Sequence, residues 1–130
     1  MLWFRADCEQ PLTTPDAENW MVLYIGMDKR EAPAWQGFHY KVYPLRTGTS
    51  AQVFAFEGKT WNPLTIVPCT ISGTSLVIRI SRKTLGIKKD VDFSCRFKWC
   101  DNIPDGDPMR WLIDGDTAPN GRAAYVYQSR

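Results

Sequence analysis

Histidine is nearly absent from this sequence: His39 is the only one. It alternates with Phe38 and Tyr40, which read as core-facing, so a surface position is expected for it. No G-x-S-x-G elbow occurs, and no cysteine stands in a recognisable nucleophile context. A P-loop and a dinucleotide fingerprint are missing too. Together these absences argue against an enzyme. Excess charge of either sign is also lacking. The net charge is +2, and the basic residues are scattered singly or in pairs; the Lys88-Lys89 pair runs straight into Asp90. That pattern gives no footprint for nucleic acid.

Long apolar runs are missing, so no membrane-inserting span is expected. The opening Met1-Leu2-Trp3-Phe4 meets charge at Arg5 and Asp7 and does not read as a secretory signal peptide. It reads as a strand entered part-way, and the expectation is a fragment of a longer protein. The four cysteines, Cys8, Cys69, Cys95 and Cys100, contain no C-x-x-C pair, which sets a structural zinc aside. They allow two disulfides in three connectivities, or unpaired thiols packed as small hydrophobes. Their spacings form no disulfide framework, which favours thiols.

What the sequence does have is alternation. Its 130 residues, 44% hydrophobic and 23% charged, suit one globular domain over 1–130. Short runs of period two recur between turn signals: 2–8, 37–43, 52–57, 64–70, 75–80, 91–99, 109–113 and 122–127. Residues 20–27 are nearly continuous apolar and predict a central strand covered on both faces. Pro68 argues for an edge strand or a bulge. Over 81–86, Ser81 can cap and Gly86 can terminate a short helix. The reading is all-β: an antiparallel β-sandwich with jelly-roll or immunoglobulin-like layers and one short helix near 81–86.

Several stretches carry a family resemblance. They are Asn19-Trp20-Met21, Met27-Asp28-Lys29 and Trp35-Gln36-Gly37-Phe38-His39-Tyr40; then Ser75 to Ile80 running into Ser81 to Gly86; then Phe97-Lys98-Trp99-Cys100-Asp101-Asn102 with Gly106-Asp107; and finally Asp114 to Arg122. In this order they resemble the C-terminal part of β-sandwich domains related to carbohydrate-binding module family 9, the DOMON-like superfamily. Such domains have further strands before the point where this chain begins. Their sugar-binding members clamp a sugar between two aromatic side chains, a pair not matched here. The resemblance implies a non-catalytic carbohydrate-binding module within an extracellular, periplasmic or cell-surface protein of a polysaccharide-degrading bacterium. The alternative is a structural accessory or protein-interaction domain with no sugar ligand.

Six tryptophans and five tyrosines supply candidate sugar platforms, because a flat ring can stack on the C–H face of a sugar while polar neighbours read its hydroxyls. Trp20, Trp61 and Trp99 lie in or beside apolar strands and read as core. Trp35 stands in a polar loop with Gln36, near Pro33 and Gly37, where loops carry binding. The candidate ligand-binding set is Trp35, Gln36 and His39, with Arg110 and Trp111 second. Asp101, Asp105 and Asp107 crowd one loop and offer hard oxygen ligands of the kind calcium takes. They lack EF-hand spacing, and Asp, Asn and Gly are also ordinary turn residues. Related sandwiches often hold a structural calcium, so the resemblance implies calcium as the cofactor to consider. Asp105 with Asp107, or Asp114 with Asp116, could pair as glycosidase carboxylates, but residues two apart in a Gly-rich loop read as solvated. An edge strand exposed at the start of the chain offers a route to a homodimer.

Overall fold

A computed structural model describes residues 1–8, 20–101, 116–119 and 124–129. Nine antiparallel strands are described: β1 (Leu2–Asp7), β2 (Val22–Met27), β3 (Tyr40–Pro44), β4 (Ser50–Phe56), β5 (Trp61–Ser72), β6 (Ser75–Ile80), β7 (Ser94–Asp101), β8 (Asp116–Ala118) and β9 (Tyr125–Gln128). They form one sheet in the order β1-β6-β5-β4-β3-β2-β7-β8, with β9 also on β7. Strands β8 and β9 lie end to end along that last edge, β8 beside Trp99–Asp101 and β9 beside Ser94–Phe97.

The sheet curls because β5 serves two neighbours. Its first part pairs with β4 as far as Pro68, and from Cys69 onward it pairs with β6. Pro68 stands at this changeover, in an interior strand and not on the expected edge; a missing N–H costs least where one ladder ends and the next begins. A register shift between Val53 and Phe54 sets Thr65 and Pro63 opposite them and leaves Leu64 as the extra residue. Such a bulge bends the strand and increases its twist. The result is a half-barrel: all-β and antiparallel as expected, while two separate packed layers are not seen among the described residues. No helix of the described residues is long and apolar enough to cross a membrane.

The concave face holds the core. Alternation sends Leu23, Ile25 and Met27 of β2, Tyr40 and Val42 of β3, Ala51 and Val53 of β4, and Leu76, Ile78 and Ile80 of β6 inward. Cys95 and Trp99 follow from β7, with Phe97 packed against them. Phe4 of β1 meets Phe97 edge-on, ring centroids 5.6 Å apart, so the curl brings the first strand over the seventh. The four cysteine sulfurs are not joined to one another.

Strand β2 is buried at every position, as its continuous apolar run requires. Its second cover, on the convex face, is a smaller cluster of Val22, Tyr24, Phe38 and Cys100, with Trp35, Tyr43 and Trp61 packed on it.

The expected helix over 81–86 is a turn. Its caps nevertheless work as read. The Ser81 hydroxyl accepts the Thr84 amide at 3.1 Å. At the other end the Ile87 amide donates to the Arg82 carbonyl (2.8 Å) and the Gly86 amide to the Lys83 carbonyl (3.0 Å), with Gly86 at φ +70°. That is a Schellman closure. The two caps lie so close together that a single α-type hydrogen bond, from the Leu85 amide to the Ser81 carbonyl at 3.4 Å, is all that fits between them.

Candidate functional site

The convex face is organised by a two-residue hairpin. Trp35 and Phe38 exchange both backbone hydrogen bonds, each 2.9 Å. Gln36 (φ +53°) and Gly37 (φ +85°) form the tip, the pair of positive φ values that a type I′ turn requires. The hairpin lies directly on β2. A Cβ built on Gly26 would stand 2.2 Å from the Gly37 carbonyl oxygen, so only glycine allows this approach. Arg96 of β7 clamps the tip, donating from Nη2 to the Gly37 carbonyl at 2.7 Å.

On one side of the hairpin stands an aromatic cluster. Trp35 packs on Tyr24 with ring centroids 5.3 Å apart, and meets Trp61 edge-on at 6.1 Å. Trp61 also packs on Phe56, and Phe54 stacks on Tyr43. The Lys41 ammonium lies over the rings of Phe54 and Trp61, at 5.2 and 5.3 Å. Trp35 and Trp61 are both half-buried.

On the other side lies a shallow, solvent-open cleft of about 490 Å³, lined among others by Asp28, Lys29, Arg30, Gly37, His39 and Arg96. Its polar groups are held in place from behind. Asp28 follows β2 directly; its carboxylate accepts from Arg96 Nη1 at 2.5 Å and from the Ser94 hydroxyl. Arg30 donates to the Tyr40 hydroxyl and to the Leu85 carbonyl, both at 2.5 Å. The capped turn of 81–87 therefore serves as the backstop for Arg30.

His39 corrects the surface expectation: it is 7% exposed. It directly precedes β3 and stands on the convex side, opposite to Tyr40, but loop 28–38 covers that side. Its Nδ1 accepts the Met27 amide at 2.9 Å. The ring proton then sits on Nε2, the polar edge left for the cleft. Burial lowers its pKa below the ordinary histidine value, and Arg30 and Arg96 lower it further against a smaller opposing pull from Asp28. His39 is thus a neutral donor at pH 7.

The structure brings Trp35, Gln36 and His39 of the sequence-derived set into one segment, with Gln36 exposed at the tip. Arg110 and Trp111 lie outside the described residues, as do Asp105, Asp107 and Asp114. Asp101 ends β7 in register with Asp116 of β8. Among the described residues no group of three or more His, Cys, Asp or Glu could hold a metal ion. Trp20 and Trp99 are core as read, whereas Trp61 belongs to the half-buried convex cluster.

Sequence reasoning missed Asp28, Arg30, Ser94 and Arg96. Asp28 and Arg30 lie far along the chain from Ser94 and Arg96, and the β2–β7 register, which pairs Gly26 with Arg96 and Met27 with Cys95, brings Asp28 beside Ser94 and Arg96. The one available signal was Met27-Asp28-Lys29, which carried resemblance but no assigned role. Compared with known proteins, the chain matches no family model, no curated protein and no solved structure. Its class therefore rests on its own fold: an all-β protein built on one curled antiparallel sheet.

Proposed function

We propose that this domain is a non-catalytic carbohydrate-binding module of a larger secreted or surface protein, with the sugar seated at the Trp35–Phe38 hairpin. The observation that carries the reading is the pairing of two surfaces on that one hairpin. Half-buried Trp35 and Trp61, their rings inclined at 66°, stand on one side. A cleft with positioned hydrogen-bonding groups opens on the other. Binding sites for small molecules combine apolar platforms with a few fixed polar groups, in volumes of roughly 300–1,000 Å³. Asp28, Arg30 and Arg96 are locked by partners of their own, which suits recognition by groups already in place. The resemblance to family 9 modules points the same way.

Titration of intrinsic fluorescence with an oligosaccharide panel, comparing wild type with Trp35→Ala, tests this. The expected result is a weakening of about ten-fold or more in the variant, the scale of losing one central aromatic contact. Equal affinity removes Trp35 from the site. Absence of binding across the panel overturns the reading.

A further inference from the structure

Resting on the glycan reading, we infer that the cleft beside His39 selects acidic saccharides, those carrying a uronate carboxylate, over neutral ones of the same linkage. Three cationic residues line it, Lys29, Arg30 and Arg96, against two anionic ones, Asp28 and Glu31. Three minus two leaves one positive charge, and its placement matters more than the count. Asp28 is already matched: Arg96 neutralises it, and the Ser94 hydroxyl occupies another of its lone pairs. Glu31 is exposed on the loop and is the one carboxylate left to oppose an anion.

The remaining polar capacity is mostly donors. A guanidinium has five N–H groups. Arg30 donates from Nη1 to Tyr40 and from Nη2 to Leu85, so its other N–H groups remain, and so does the Lys29 ammonium. His39, with Nδ1 committed to the Met27 amide, offers an Nε2–H and no acceptor. A neutral sugar presents hydroxyls that must both donate and accept. A carboxylate only accepts, and it gains most from donors that are charged and already fixed. Arg30 is fixed on two sides, by Tyr40 and by the Leu85 carbonyl of the 81–87 turn. The side chain presses so close to that turn that a Cβ on Gly86 would stand 2.9 Å from Arg30 Nη2. Such a guanidinium loses little freedom on meeting a ligand.

The test is calorimetry at pH 7 with matched neutral and uronate-bearing oligosaccharides of one linkage. Wild type should bind the acidic member about ten-fold more tightly, the scale of one charge-assisted contact. That preference should shrink several-fold as sodium chloride rises from about 0.05 to about 0.5 M. Arg30→Gln should abolish the preference, so that the acidic and neutral members bind with equal affinity. The salt series on wild type stands by itself if Arg30→Gln does not fold. Equal affinity for both members, or a preference indifferent to salt, overturns acidic selectivity and leaves the glycan reading in place. No binding of either member overturns both.

Discussion

The Met27 amide donates to Nδ1 of His39, and an imidazolium has no lone pair there to accept it. Protonation would also put a third positive charge among Arg30 and Arg96. Burial and these two guanidinium groups hold the folded-state pKa below the ordinary 6.5. The unfolded chain takes up its proton near that ordinary value, the folded chain only at lower pH. His39 therefore contributes stability that is fully present above about pH 6.5 and is lost as pH falls from there through the folded pKa. Denaturant unfolding between pH 7.5 and 5 should show a falling midpoint. His39→Gln, whose side-chain oxygen can still accept the amide, should flatten that slope. Asp7 does not blur the window, because hydrogen bonds from Ser75 and Arg5 hold its carboxyl below the usual carboxylate range. The side of the sheet on which His39 stands was legible from alternation with Tyr40; Phe38, expected on the same face as Tyr40, lies instead in the convex cluster. The burial of His39 was not: alternation assigns a face, and whether that face is covered depends on a loop packed over it. Lys41 and Lys98 are also buried, Lys41 over the rings of Phe54 and Trp61 and Lys98 donating to the Pro119 carbonyl.

Two short elements carry the site, and each rests on a glycine. Gly86 closes the turn that holds Arg30, and Gly26 lets the hairpin lie on β2. A methyl group at position 26 meets a backbone oxygen, which has no rotamer to escape into. Gly26→Ala should therefore lift the Trp35–Phe38 hairpin and lose about 1–3 kcal/mol, the usual scale of overpacking. Urea unfolding measures that loss, and oligosaccharide affinity should fall with it if the hairpin is the binding element. The caps of the 81–87 turn were legible because Ser81 and Gly86 act through local backbone geometry. The helix between them was misjudged for want of length, since nucleating a helical turn is unfavourable without further residues to propagate it. Gly26 gave no warning at all. Inside an apolar strand a glycine reads as a bulge or a close approach, and nothing local says which segment approaches.

At the scale of the whole molecule, most of the described strands were readable from alternation; β8, which falls in the stretch read as a loop between 114 and 121, was not, and neither was the closure of the sheet. Period two makes Leu76, Ile78 and Ile80 one face and Cys95, Phe97 and Trp99 another. It is silent on whether the two faces belong to separate layers or to one sheet bent upon itself. The answer lies in β5, whose twelve residues outlast either neighbour and so hand the sheet from β4 to β6. A sheet curled in this way needs something to hold its ends together, and the described contact is Phe4 on Phe97. Phe4 is buried although it belongs to β1, which pairs only with β6 among the described residues. Phe97 is gripped on its other side by Tyr125 of β9, ring centroids 5.4 Å apart. The three rings thus link the first strand to the last across the mouth of the half-barrel. Phe4→Ala removes the first-strand end of that link and leaves a cavity in the core. The expected cost is about 3–5 kcal/mol, read from denaturant unfolding. Hydrogen exchange should show β1 and β9 losing protection together while β2 and β3, buried on both faces, keep theirs. If β1 alone loses protection, the ring contact closes nothing and the curl is held by β5 without help from the edges.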